Sequence, residues 1–229
     1  MAHSGINILF EGRNTVRLLG GLWVSAKIAV IAIIAGLILG LILGALRTLH
    51  NPLLRGILRL YLEFFRVIPT VVLLFLFYYI LPQNFNINMG AESMATLVFA
   101  LWFAAEMSDI VRGGIISVPP HQVDAGKAIG LNRLQLYYYV LIPQSIQLMI
   151  PATINLVSRI IKTTSLLLLI SVMDVINIGQ QIIEANGQRY ENGAFWVYGF
   201  IFILYFILCY PLSLWARHLE RKEAVTANG

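Results

Sequence analysis

Charge is scarce in this chain: Asp, Glu, Lys and Arg make up 12% of 229 residues, against about 25% in an ordinary soluble domain. A soluble globular surface cannot be built from so few charges. Cysteine is nearly absent as well. The single Cys209 excludes an internal disulfide framework, and its setting in FILCYPL fits inert packing rather than reactivity. The four histidines, His3, His50, His121 and His218, are scattered without ligand spacing, so no metal site is expected. No GxxxxGK[ST] phosphate-binding loop occurs. Gly113 and Gly114 lack the following lysine and the preceding strand, so the chain is not expected to hydrolyse ATP. Clustered carboxylates or histidines, which an integral-membrane lipid-modifying enzyme would need, are also missing.

What is present is apolar. Hydrophobic residues make up 59% of the chain and the mean hydropathy is +0.78, the profile of an integral membrane protein. Its length is therefore best counted in crossings of about 20 residues each. Five all-helical spans are predicted, at about 22–46, 57–81, 91–111, 143–170 and 195–215, forming one membrane domain over residues 1–229. No cleavable signal peptide is expected, because the first apolar run is too long and no small-residue cleavage site follows it.

Charge placement orients the spans. With five crossings, Arg47, Arg55, Arg59, Arg112, Lys127, Arg133, Arg217, Arg221 and Lys222 fall on one side, and Arg13, Arg17 and Arg189 on the other. The positive-inside rule makes the first side cytoplasmic, so the N-terminus is expected outside and the C-terminus inside. This excess accounts for the net charge of +5 and implies no nucleic acid.

The segment 119–143 interrupts the apolar runs on that side with PPHQVDAGKAIGLNRLQLYYYVLIP. Pro119 and Pro120 suit a helix start, Asp124 suits the positive end of the dipole and Gly130 suits a stop. Asn132 followed by Gln135 gives a capping box for a second helix, and Tyr137, Tyr138 and Tyr139 suit the headgroup level. A helix of about ten residues is marginal alone in water. It therefore needs a soluble partner or neighbouring helices for support, unless the segment is only a surface loop with helical character.

Other residues stand out by spacing. Gly36, Gly40 and Gly44 give one smooth helix face, fit for packing within the chain or against a second copy. Arg55, Arg59, Glu63 and Arg66 line one face of the second span. A charge at mid-membrane costs about 2.5–3.5 kcal/mol, which an i,i+3 pair between Glu63 and Arg66 would relieve. That pair either fixes packing or walls a gate, with Pro69 breaking the helix just beyond. Glu106, Asp109 and Arg112 repeat the pattern in the third span, where salt bridging is expected. Arg159 and Lys162 share a face of the fourth span and precede Thr163, Thr164 and Ser165, where Pro151 is expected to strain the helix. Cations and hydroxyls grouped beside a strained helix suit a polar ligand. Lys162 also has the alternative of reaching the outer headgroups, and Lys27 is expected to snorkel.

The run Asp124, Ala125, Gly126, then Gly130, Val140, Ile142 and Pro143 resembles the cytoplasmic EAA motif of ABC importer permeases, with Asp for Glu and Gly for the second Ala. YLEFFRVIPTVVLLFLFYY resembles the second-span signature of the polar amino acid branch, through Tyr61, Glu63, Phe65, Arg66, Pro69, Tyr78 and Tyr79. AAEMSDIVRGGIISVPP and INLVSRIIKTTSL resemble its third and fourth spans, and the likeness covers roughly residues 18–220.

The resemblance implies a type I (MetI-like) permease with a cytoplasmic coupling helix in a bacterial inner membrane. It implies a second permease chain, a cytoplasmic ABC ATPase dimer that carries the ATP and Mg, and an extracytoplasmic amino-acid-binding protein. No cofactor is expected in this chain. Val123, Asp124, Ala125, Gly126, Ala128, Ile129 and Gly130 would couple to the ATPase. Glu63, Arg66, Pro69, Glu106, Arg159, Lys162, Thr163, Thr164 and Ser165 would line the substrate path, with Arg159 and Lys162 serving the carboxylate of an amino acid, and hydroxyls or freed carbonyls of residues 163–165, with Glu63 or Glu106, its ammonium. Many members of the branch carry Asp at the position of Thr163, so its loss here favours neutral or acidic cargo, glutamine- or glutamate-like, over cationic. The competing expectation is a secondary transporter or channel driven by ion gradients, which would need no ATPase.

Overall fold

The computed structural model describes residues 5–86, 89–186 and 189–227, with side chains described up to Arg221. His3 lies outside the described residues, as does the side chain of Lys222. The described chain is helical and contains no extended strand. A short α1 (Asn7–Phe10) leads into the long α2 (Asn14–Leu46), followed by α3 (Pro52–Val67) and α4 (Thr70–Phe75). A π-turn at Leu76–Ile80 joins α4 to α5 (Leu81–Phe85), and α6 (Ala91–Ile116) follows. The hydrophilic segment forms α7 (Pro120–Ala128) and α8 (Arg133–Leu136). A second π-turn at Tyr137–Leu141 then leads into α9 (Ile142–Thr163). After a 3₁₀ stretch at Thr164–Ile170 come α10 (Val175–Asn186) and α11 (Gly193–Ala227).

Four helical stretches are long and apolar enough to cross a membrane: Asn14–Leu46, Ala91–Ile116, Arg133–Ile170 and Gly193–Arg221. A fifth crossing follows if Pro52–Val67 and Thr70–Phe85 count as one broken span. The break is where the sequence put it. Pro69 disfavours helical backbone at the residue before it, and Ile68 is extended, with ψ of 126°. At its other end α3 is capped by Asn51, whose side chain accepts from Leu54 N at 3.1 Å, with Pro52 in the first turn. Pro151 behaves differently from expectation. It lies inside α9, which runs unbroken to Thr163, and the irregularity comes later, where α-helix tightens to 3₁₀ at Thr164.

The chain forms two compact units, each assembled from three separated segments. The first comprises residues 1–32, 70–99 and 159–211. Its core gathers Ile8, Leu18, Val175, Ile182, Val197 and Ile201, all at most 3% exposed. Close helix approach is set by small residues: a Cβ at Gly21 would lie 2.8 Å from the Asp174 carbonyl, and one at Gly179 would lie 2.6 Å from Ile201 Cδ1. Lys27, expected to snorkel, is held by Glu92 at 2.6 Å.

The second unit comprises residues 33–69, 100–158 and 212–229. Its centre is the seam between α2 and α6. A Cβ on Gly36, Gly40 or Gly44 would come within 2.8 Å of the Ala100 carbonyl, 2.5 Å of Met107 Cβ and 2.5 Å of Val111 Cβ respectively. Real Cβ atoms do not approach so closely, so the smooth face predicted for the first span serves packing inside the chain. Gly114 does the same for α6 against Met149, at 2.5 Å.

Candidate functional site

The hydrophilic segment is folded by its own backbone. Gly130 has φ of +85° and closes α7 in a Schellman motif: Leu131 N donates to Gly126 O at 3.1 Å and Gly130 N to Lys127 O at 2.9 Å. Asn132 and Gln135 then form the reciprocal capping box of α8, with both bonds at 2.9 Å. Gly126 is the one buried residue of α7. A Cβ there would meet Leu136 Cδ2 at 2.5 Å, with Leu131 and Val140 close behind. The glycine at the third position of the motif therefore seats α7 on α8 and the turn that follows.

The other motif positions face away. Asp124, Ala125, Ala128 and Gly130 are exposed and Val123 is half-buried, while Asp124 holds Lys127 at 3.2 Å. Two large apolar side chains protrude in this otherwise polar region: Ile129 is 78% exposed and Leu134 79%. Ile129 lies between two of the apolar stretches and Leu134 in the first turn of the next; aliphatic side chains left bare there are unfavourable in water and suit burial against a partner.

The charges of α3 and α6 meet in the second unit, with different partners from those expected. Arg66 does not pair with Glu63. It bonds Asp109 at 2.8 Å and approaches Glu106 at 3.6 Å. Asp109 in turn receives Arg47 at 3.1 Å, and the Arg47 guanidinium also donates to Ser108 Oγ at 3.2 Å. Asp109 thus bridges two guanidiniums, one from the end of α2 and one from the end of α3. The reason is geometric: α6 offers two carboxylates spaced i,i+3, whereas Glu63 and Arg66 would each have to bend along their own helix. Glu63 makes no ion pair among the described residues.

This network forms part of the wall of a cavity of about 300 Å³, also lined by Arg55, Arg59, Glu63 and Arg112. Sequence reasoning treated Arg47 only as an orientation signal. Its burial, 6% exposed, is set by packing between distant segments, and nothing in its local sequence marks it.

The stretch 159–174 belongs to the first unit. Arg159 and Lys162 are exposed on α9. The hydroxyls next to them spend their protons on their own helix: Thr163 donates to Arg159 O at 2.9 Å, Thr164 to Ile161 O at 2.7 Å and Ser165 to Lys162 O at 2.8 Å. Their oxygens keep lone pairs and can still accept. Thr164 is 1% exposed and lies 3.4 Å from the Tyr205 hydroxyl, so it faces the core rather than a path. Glu63, Arg66 and Glu106 belong to one unit, and the candidates from Arg159 to Ser165 to the other.

Asp174 was not singled out from the sequence. It is fully buried and caps the start of α10, its Oδ1 accepting from Asn177 N at 2.9 Å, while Oδ2 has no hydrogen-bond partner among the described residues. Burial pushes this carboxyl up to about 6 despite the backbone N–H bonds that lower it. An Asp three residues before a helical N–H is a cap signal, but nothing local reveals that it is buried.

Comparison with known proteins identifies the family and the fold. Residues 36–225 match the family described as "Binding-protein-dependent transport system inner membrane component". The chain is 29% identical over 219 residues to the probable glutamine ABC transporter permease protein GlnP of Bacillus subtilis, covering 93% of this chain and 99% of that one. It is 31% identical over 205 residues to the L-cystine transport system permease protein TcyB of the same organism, covering 90% and 86%. Its fold superposes on a solved structure described as an amino acid ABC transporter with histidines, with a TM-score of 0.85 at 24% identity, covering 97% of this chain and all of that one. The chain belongs to the binding-protein-dependent transport system inner membrane family, as a multi-pass amino-acid ABC transporter permease.

Proposed function

We propose that this permease stands with its N-terminus outside and its C-terminus in the cytoplasm, and that it imports a neutral or acidic polar amino acid by alternating access. A loaded binding protein docks outside, and an ABC ATPase dimer grips α7 inside. Closure of the ATPase on ATP moves α7 and, through the Gly126 seat on Leu136, the start of α9. The permease pairs with a second permease chain, either a copy of itself or a sister. The observation that carries this reading is the outward face of the coupling segment, where Asp124, Ala125 and Ala128 stand beside the bare Ile129 and Leu134.

In the proposed path, Arg159 and Lys162 read the substrate carboxylate, and the oxygens of Thr163 and Ser165 accept from its ammonium. Thr164 supports the turn from inside. Arg66, bound to Asp109 and 3.6 Å from Glu106, acts with these two acids as a latch between α3 and α6 beside the break at Pro69. Glu63 makes no ion pair among the described residues and lines the cavity beside α3. The absence of an acid at Thr163 favours neutral or acidic cargo. Relatives named for glutamine and for L-cystine match at 29% and 31% identity, so similarity alone does not choose between them.

The test is ATP-dependent uptake in proteoliposomes holding the permease, its ATPase and its binding protein. Ala128→Arg should abolish uptake and release the ATPase while the protein stays folded. Gly126→Arg is a poorer probe, because it collides with Leu136 within the chain. Uptake that persists without ATP and follows an ion gradient would overturn this reading in favour of a secondary transporter.

A further inference from the structure

The helix α3 carries three distinct stripes at helical spacing. Leu58, Leu62 and Phe65 are buried against the second unit. Arg55, Arg59, Glu63 and Arg66 form a charged stripe beside them. On the remaining side Leu53, Ile57, Leu60 and Val67 are bare, between 58% and 73% exposed. An amphipathic helix with a basic stripe bordering a bare apolar one suits the level at which a span meets the headgroup layer.

The basic stripe opens onto the 300 Å³ cavity, whose lining holds five arginines and two carboxylates. Arg47 and Arg66 are consumed by Asp109. The other three are not. Arg55 donates only to the Leu49 carbonyl, at 3.1 Å, and Arg59 and Arg112 have no acidic partner among the described residues. Three guanidiniums from two helices face one concave space in which Glu63 is the carboxylate not already held by an arginine, so the lining keeps a net positive charge that an anion would offset. Guanidinium forks match phosphate oxygens in pairs.

We infer that the cavity between α3 and α6 binds a phosphate group, held by Arg55, Arg59 and Arg112. The bare stripe of α3 favours the headgroup of an anionic phospholipid, with its acyl chain laid along Leu53, Ile57 and Leu60. Basic pockets between membrane helices on the cytoplasmic side take such headgroups. The inference rests on the sidedness given under the proposed function, because that side holds the anionic leaflet.

The test is native mass spectrometry of the delipidated full chain, titrated with phosphatidylglycerol, phosphatidylcholine or inorganic phosphate. Phosphatidylglycerol should be retained about tenfold more strongly than phosphatidylcholine. The variant Arg55→Gln/Arg59→Gln should lose that preference. So should Arg112→Gln, which lies on another helix and keeps the test intact if the α3 variant unfolds. Arg217→Gln, a cation on α11 outside the cavity lining, should retain it.

Inorganic phosphate that displaces the lipid at millimolar concentration identifies a site shared with the free ion. Failure to displace it identifies the lipid as the source. Equal retention of the two lipids, or equal loss in the Arg217 variant, overturns the inference. So does an ATPase subunit that expels the lipid and no longer binds the arginine variants, which would make the cavity a seat for an acidic protein surface. A topology probe on Gln122 separates the premises: lipid selectivity with Gln122 outside the cell sinks the sidedness alone.

Discussion

The two ends of α9 solve opposite problems. Before it, the hydrophilic segment turns its one buried glycine inward and leaves two aliphatic side chains bare. Beyond it, the stretch 159–174 leaves its two cations outward, ties its hydroxyls to its own carbonyls and ends on a buried carboxylate. The first region has unspent apolar surface, which in water favours a protein partner. The second has exposed cations and acceptor oxygens, which favour a small polar ligand. The same helix thus joins a surface suited to an engine to a surface suited to a cargo.

The largest effect should come from removing the apolar side of this comparison. Ile129→Asp with Leu134→Asp should lower ATPase co-purification and ATP-driven uptake at least tenfold, since burying an unpaired carboxylate in an interface costs several kcal/mol. Circular dichroism should remain helical, because neither side chain is packed within the chain. Equal ATPase recovery would show that the bare pair is incidental.

On the cargo side, Arg159→Ala or Lys162→Ala should reduce uptake of every amino acid by about tenfold, as expected for loss of one charge-assisted contact worth about 1.5–3 kcal/mol. Ser165→Ala should cost less and Thr164→Ala should act through stability instead. Reduced protein abundance with normal uptake per molecule would assign both cations to structure.

Asp109→Asn probes whether the latch is separate from both ends. It strips Arg47 and Arg66 of their shared acid. Loss of a fully buried pair costs about 3–5 kcal/mol, and the 36% exposure of the Asp109 side chain reduces that to about 1–3 kcal/mol. A lowered thermal midpoint with ATPase binding retained is the expected result.

The smallest effect on uptake, and an inverted one on stability, is expected for Asp174→Asn. A carboxyl raised from 3.8 to about 6 binds its proton more tightly folded than unfolded. Its favourable contribution is therefore complete below about pH 4 and lost as pH rises through 6. Above that, burial of the charge costs up to about 3 kcal/mol. Asparagine can keep the bond to Asn177 N without the charge, so the variant should melt higher than wild type at pH 7 and converge with it toward pH 4. A difference that widens on acidification would contradict this.

Legibility in the sequence tracked how local each cause was. Gly130, the Asn132 and Gln135 box and the break before Pro69 are set within a few residues, and each formed as expected. The glycine face of α2 was legible because its spacing speaks for a helix face whatever the neighbour. The Glu63 and Arg66 pair failed because local spacing proposes a partner but cannot see two better carboxylates arriving from α6. Pro151 failed to disrupt α9 for a related reason: proline removes one N–H, and the turns on both sides keep the rest. Gly126 matched the motif, yet its task is packing against Leu136, which only the folded segment reveals. The burial of Asp174 and Arg47 is likewise a property of distant segments closing over them.

The central claim is that the outward face of the coupling segment is where the ATPase takes hold. It is tested most directly by titrating the purified ATPase against wild-type permease and Ile129→Asp/Leu134→Asp permease in nanodiscs, and measuring the dissociation constant. An increase of at least tenfold in the variant, with its helical spectrum unchanged, is the predicted result; an unchanged constant would contradict the account.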